Sequence, residues 1–255
     1  MKTAVIYLYS KKLFRNSVAF FLKFFLCALL LLAMVLHFGK LLFRSENKAS
    51  VHTDSADQTI TVVIDPGHGG RDGGAVGADG TLEKELNLSV ALKVKAVLES
   101  AGVRVVMTRE PDIVLAEPDS PHKKADDLKA RLQLAQNQER AIFVSIHMNK
   151  FPVEKYRGLQ VYYSENHSES PTLAQTIQDA AQAALQNTGE RKIKPAGDSI
   201  YLMAHLEIPA VLVECGFLSN DEERALLKDE NYQKKLAVCL CAAILEYISQ
   251  TDPLN

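Results

Sequence analysis

Three short apolar runs, rich in β-branched residues, constrain this chain more than any other feature: residues 60–64, 141–146 and 210–213. Each is too short for a helix and too uniformly apolar for a strand with one wet face. Each therefore reads as a strand buried on both sides. Between them the apolar period changes. Residues 85–100 place Leu86, Val90, Val94, Val97 and Leu98 on one helical face and stop at Gly102, a helix followed by a capping glycine. Further strands are expected at 103–108 and 158–164, and further helices at 124–139, 170–187, 199–205, 221–228 and 231–249. Apolar strands alternating with amphipathic helices predict an α/β fold: a mostly parallel twisted sheet with helices on both faces. A single domain over residues 59–255 holds it, with no internal repeat.

The same runs place the chemistry. The first ends in Asp65-Pro66-Gly67-His68-Gly69-Gly70, the second in Ser145-Ile146-His147, the third in Val213-Glu214-Cys215-Gly216. In open α/β sheets the carboxyl ends of the strands form the ligand-binding edge. Glu83, at the start of the first helix, is a fourth polar group bound for that rim. Two histidines and two carboxylates there suit a hydrolytic metal site. Each has a plainer reading when taken alone. His68 fits a glycine-rich turn, and Asp65 fits a residue that orients that loop or a ligand imidazole. Glu83 fits the acid favoured in a first helical turn, with Thr81 as N-cap. His147 fits a core or surface histidine at a strand end, followed by Asn149 as a candidate for substrate amides. Glu214 has the weakest plain reading, because a carboxylate in so apolar a setting is costly unless paired, liganded or protonated. His205 precedes the Glu214 strand and is a lesser candidate. A phosphate-cradling loop is disfavoured, since no Lys-Ser/Thr follows the glycines.

The N-terminus has a different character. Basic residues in 1–17 precede an apolar run, 18–38, broken only by Lys23 and His37, and a polar tether, 39–58. The run is long enough to span a bilayer, with a cytoplasmic start. It reads as an uncleaved signal anchor or a removed signal peptide, and both put the remainder outside the cytoplasm. A net charge of −2 with scattered basic residues excludes nucleic acid as the main partner. Cys215, Cys239 and Cys241 are expected to be small buried hydrophobes rather than a disulfide or metal set.

Taken in order, Asp-Pro-Gly-His-Gly-Gly (65–70), Glu-Lys-x-x-Asn-Leu (83–88), Ser-Ile-His-x-Asn (145–149) and Val-Glu-x-Gly-Phe-Leu-Ser-Asn (213–220) resemble the zinc-dependent N-acetylmuramoyl-L-alanine amidases of bacterial cell walls. The resemblance covers residues 60–249. It implies zinc (Zn2+) held by His68, Glu83 and His147, and Glu214 as the catalytic glutamate. It also implies peptidoglycan as substrate, cut between the lactyl group of muramic acid and L-alanine. Within the family the chain resembles the germination-specific type of spore formers, which adds a targeting N-terminus and no wall-binding repeats. Stretches 107–110, 158–160, 200–203 and 216–220 carry that finer likeness. It implies action on spore cortex ahead of muramic-δ-lactam formation, in the intermembrane space of the developing spore, with the need for a protein activator left open. A wall-binding protein on the same fold and a polysaccharide deacetylase are the alternatives. The deacetylase metal set usually includes an aspartate and paired histidines on one strand, which this chain lacks.

Overall fold

The computed structural model describes residues 59–117, 119–185 and 191–251. The basic segment 1–17, the apolar run 18–38 and the tether 39–58 lie outside the described residues. Among those described, no helix is long and apolar enough to cross a membrane.

The chain runs β1 (Thr61–Pro66), α1 (Glu83–Ser100), β2 (Arg104–Met107), α2 (Lys123–Gln136) and β3 (Ala141–Asn149). It continues with β4 (Gln160–Tyr163), α3 (Ser170–Ala184), β5 (Lys194–Pro195), α4 (Tyr201–His205), β6 (Ala210–Phe217), α5 (Asp221–Lys228) and α6 (Glu230–Thr251). The six strands lie in the order β2-β1-β3-β6-β4-β5. After β1 the chain crosses to β2 on one side and then returns to β3 on the other. Such a switch opens a crevice at the strand ends between β1 and β3.

The three apolar runs are the three central strands, as their two-sided burial requires. Val62, Ile64, Ile142, Val144 and Ile146 pack against α1, α3 and α6. Val63, Phe143 and Leu212 pack on the opposite face, against α2 and α4. The expected layering is present, although the sheet is mixed: β4 runs antiparallel to β6. The cause is the β3–β4 connection, which contains no helix. Without a helical crossover the chain cannot return to the start of the sheet, so it comes back antiparallel. The two-residue β5, beside β4, is an element the apolar pattern did not announce. Cys215, Cys239 and Cys241 are buried in the apolar core, the place expected of small hydrophobes.

Candidate metal centre and catalytic carboxylate

Alternation along the strands decides what meets at the rim. Asp65 of β1 stands beside Ser145 of β3 in the ladder, and His147 of β3 stands beside Glu214 of β6. Just past the end of β1, next to His147, comes Gly67, whose N–H donates to the Ile146 carbonyl. A Cβ at Gly67 would sit 2.2 Å from the His147 ring. Glycine is therefore the space that His147 occupies.

One residue on, the chain turns sharply and His68 takes φ +62°, a left-handed conformation unusual for a residue with a side chain. Two buried arginines hold that turn by its carbonyls. Arg109 Nε donates to the Pro66 and His68 oxygens and Arg109 Nη2 to Gly67. Arg131 Nη1 donates to Pro66 and its Nη2 to His68. Asp65 secures Arg131 through a 2.6 Å ion pair and also accepts from Thr108 Oγ1 and Ser145 Oγ. Burial alone would raise its pKa, but Arg131 and the two hydroxyls outweigh this and lower it. Asp65 thus orients the loop, one of the two roles expected of it. It does not hold an imidazole. That partner is Asp72, whose Oδ2 lies 3.0 Å from His68 Nδ1. The sequence reading passed over Asp72 because Asp-Gly reads as turn chemistry. It reaches the ring only because His68 bends back.

Glu83 opens α1 two residues earlier than expected. Thr81 is not its N-cap: the cap position is Leu82, with no side-chain cap bond, and Thr81 Oγ1 turns to Asp79. The first helical N–H groups are satisfied by loop carbonyls instead, Glu83 by Ala75 and Lys84 by Gly73. The Glu83 carboxylate is left free for the rim. Its Oε1 lies 2.8 Å from His147 Nδ1 and accepts from the Met148 N–H. Its Oε2 accepts from the Ala75 N–H and lies 3.2 Å from His68 Nε2. Gly74 makes this possible too, since a Cβ there would lie 2.5 Å from Glu83 Oε2. Desolvation works against ionised Glu83, yet the two histidines hold it well below the usual carboxylate range. Desolvation likewise disfavours a charged His68, but Glu83 and Asp72 reverse that and raise its pKa.

His68, Glu83 and His147 each offer one ligand atom, and the three atoms lie within 4.8 Å of one another. A tetrahedral ion with bonds of about 2.0–2.2 Å needs donors roughly 3.4 Å apart, and the contacts of Glu83 with the two histidines, 2.8 and 3.2 Å, lie a little inside that spacing. Two imidazoles and one carboxylate on a rigid rim thus fit a divalent metal. Glu214 is the fourth group. Its Oε2 is buried and, with Asn87 Oδ1, is one of two such side-chain oxygens without a hydrogen-bond partner among the described residues. Desolvation pushes its pKa up to about 7, with Glu83 adding to the rise and the two histidines opposing it. His205 takes no part: its Nδ1 faces the Tyr201 carbonyl and its ring stacks on Tyr201. Asn149 continues β3 past a bulge, and its carbonyl accepts from Leu218.

With this geometry in hand, comparison with known proteins is informative. The profile of the N-acetylmuramoyl-L-alanine amidase family matches residues 62–246. The germination-specific N-acetylmuramoyl-L-alanine amidase of Bacillus subtilis (strain 168) is 40% identical over 196 residues, which are 75% of this chain and 81% of that protein. Among solved structures, the CwlD amidase from Clostridioides difficile, determined in complex with the GerS lipoprotein, superposes with a TM-score of 0.71 at 40% identity. The match covers 74% of this chain and 98% of that one. The catalytic domain of CwlV from Bacillus (Paenibacillus) polymyxa var. colistinus gives a TM-score of 0.66 at 34% identity, covering 75% of this chain and 99% of that one.

Proposed function

The chain belongs to the N-acetylmuramoyl-L-alanine amidase family, and from that premise we propose that it is a zinc-dependent peptidoglycan hydrolase. It cuts the amide between the lactyl group of N-acetylmuramic acid and the L-alanine of the stem peptide. The observation that carries this reading is the buried, unpartnered Oε2 of Glu214 beside His147 and close to the His68–Glu83 pair. An acid kept dry beside three metal donors is placed to move a proton.

His68 through Nε2, Glu83 through its carboxylate and His147 through Nδ1 would hold the zinc ion. Asp72 would fix the His68 ring by accepting from Nδ1–H, as carboxylates behind metal-bound histidines do. When bound there, zinc supplies Lewis acidity toward the scissile carbonyl and lowers the pKa of water to about 7. Glu214 accepts the proton of the attacking water on Oε2 and returns it to the departing amine of L-alanine. The burial that raises the pKa of Glu214 strengthens it as a proton acceptor. A carboxylate of ordinary acidity would be a weaker base for the first half. The amides and arginines that lock Glu83 and the His68 turn keep the donors in place throughout.

The finer biology rests on the likeness to the germination-specific relative. We assign the chain to spore cortex, where removal of the stem peptide prepares muramic acid for conversion to the δ-lactam by a separate deacetylase. The domains follow the sequence: basic residues 1–17, an apolar targeting segment 18–38, a tether 39–58 and the amidase from 59 to 255, working outside the cytoplasm. A partner protein is a reasonable part of the assignment, since the CwlD relative was solved with a lipoprotein. Digestion of intact peptidoglycan by the zinc-loaded protein, read by mass spectrometry of the muropeptides, tests the activity. Free L-alanine amino termini support it, whereas released acetate or no product sinks it. Deleting the gene tests the biology separately: vegetative growth should be normal and the spores should lack muramic-δ-lactam.

A further inference from the structure

The second residue of α1 is out of place by the usual rules of a helix. Lys84 stands beside Glu83 at the amino end, where the helix dipole disfavours a positive charge. Its side chain is only 12% exposed, although an ammonium group normally stays in water. The contacts account for both oddities. Lys84 Nζ donates to the Gly70 carbonyl at 2.7 Å and to Asp112 Oδ2 at 2.6 Å. Asp112 Oδ1 in turn accepts from the Gly70 N–H at 2.7 Å. One ion pair thus engages both backbone groups of Gly70, and the three residues close a ring. The backbone of Lys84 is fixed as well: its N–H donates to the Gly73 carbonyl, and its carbonyl accepts from Arg109 Nη2.

Asp112 belongs to the loop between β2 and α2, and that loop lies directly on the glycines after His68. A Cβ at Gly69 would sit 2.3 Å from the Ile113 carbonyl oxygen, and one at Gly70 would sit 3.2 Å from Val114 Cγ1. Farther along, the Leu115 N–H donates to Asp127 Oδ1, while Asp127 Oδ2 accepts from Arg131 Nε. The loop is therefore a strap, pinned at Asp112 by Lys84 and at Leu115 by Asp127. Gly69 and Gly70, at φ +141° and +55°, have no side chains to hold their path. Arg109 and Arg131 grip the turn where the chain enters it, and Lys84 with the strap grips it where the chain leaves.

We propose that Lys84 and Asp112 are positioning residues that set the separation of His68 from Glu83, an inference that rests on the metal-site reading of those two donors. Lys84 is joined to Glu83 through the chain and holds Gly70, two residues from His68. Its ammonium is therefore a short brace between the two elements that carry the donors. The direct contact of His68 Nε2 with Glu83 Oε2, 3.2 Å, cannot serve that purpose in the loaded site. A ring nitrogen that gives its lone pair to a metal has no proton to share with a carboxylate. The spacing then has to come from groups that the metal does not touch, and the Lys84–Asp112–Gly70 ring is such a group. A compact ammonium with three donors can serve a carbonyl and a carboxylate at once, which suits lysine to the position.

Zinc affinity, measured by competition with a chromogenic chelator, tests the proposal without recourse to the reaction. Lys84→Met keeps the apolar stem and removes the charge. It should bind zinc about tenfold more weakly or worse, while the urea midpoint of the metal-free protein stays near that of the wild type. The visible spectrum of the cobalt(II)-substituted variant, which reports the geometry around the metal, should change as well. Asp112→Asn, at a side chain 47% exposed, should weaken zinc several-fold and decides the matter should the lysine variant fold poorly. The double variant should be no weaker than Lys84→Met alone, because either substitution opens the same ring. Unchanged affinity in both single variants overturns the proposal. So does a lowered midpoint with unchanged affinity, which would make the ring a contact of the fold alone, or fully additive losses in the double variant. A wild-type protein that takes up no zinc would sink the metal-site reading itself, a result distinct from all of these.

Discussion

Asp65 and Glu214 are both carboxylates on central strands of one sheet, on the same face and one row apart. Burial raises the pKa of each. They end on opposite sides of the ordinary range because of what surrounds them. Asp65 is given Arg131, Ser145 and Thr108, so it stays ionised and holds the His68 turn still. Glu214 is given no donor for one oxygen and a second carboxylate nearby, so its proton is held loosely near neutrality. Partner supply, rather than residue type or depth, separates the acid that builds the site from the acid that works in it.

The largest effect expected from disturbing this contrast is on turnover. Glu214→Gln should lower kcat by roughly 10²–10⁴-fold, the span of general acid–base catalysis, while metal content by elemental analysis stays at the wild-type level. Glu83→Ala, in contrast, should lose metal and activity together. A Glu214→Gln protein that turns over at the wild-type rate with zinc bound would remove the contrast.

The reverse pattern should follow at Asp65. Asp65→Asn takes from the buried Arg131 one of its two carboxylate partners, leaving Asp127 at 2.8 Å, which costs about 1–3 kcal/mol, read as a lowered urea midpoint. The depressed folded-state pKa gives this an acid signature. The stabilisation from Asp65 is complete above its ordinary pKa near 4 and is lost as pH falls toward the folded value. The difference between wild type and variant should therefore narrow only below about pH 4. Equal midpoints at pH 7 would show that the ion pair is not what supports the loop.

Glu214 predicts a smaller shift of opposite sign. Its folded pKa, raised to about 7, means that the metal-free fold is penalised whenever this acid is ionised. The penalty is absent below its ordinary pKa of about 4.5 and complete above about 7. Metal-free Glu214→Gln should thus be more stable than wild type by about 3 kcal/mol at pH 8, with the gain disappearing toward pH 4.5. A gain that is the same at both ends of this range would mean that Glu214 titrates normally.

The mildest change tests how far the contrast extends. Asp72 sits behind His68 as Asp65 sits behind Arg131, but it is only partly buried. Asp72→Asn should weaken zinc binding by about 10–100-fold, measured by competition with a chelator, with the fold unaltered. No change in affinity would limit the role of Asp72 to the turn.

Much of this arrangement was legible in the chain, for identifiable reasons. Two-sided burial wrote the central strands as unbroken apolar runs, and a polar residue after such a run must emerge at the rim. His68, His147 and Glu214 were visible on that basis. The direction of β4 was not, because an apolar run looks the same in both directions and only the missing helix before it carried the information. Arg131 was hidden for another reason. On a helix with a mean character as polar as α2, an arginine reads as a solvated charge, yet it is 2% exposed, and nothing local reveals the aspartate 66 residues away. Glu83 shows the limit of local rules. Every first-turn acid looks like a cap, and only the tertiary partners tell which one is needed elsewhere.

The arginines that grip the His68 turn hold carbonyl oxygens, a group that every amino acid carries. The instructions for the shape of the turn are therefore stored at positions 109 and 131, away from the residues that do the chemistry. Gly67 must stay small for His147, but Pro66 and His68 are held by their carbonyls, so the side chain at the apex can be selected for what it binds. In the language of inheritance, form and reactivity are specified by separate letters. A redesign of the centre for another metal can rewrite the second without touching the first.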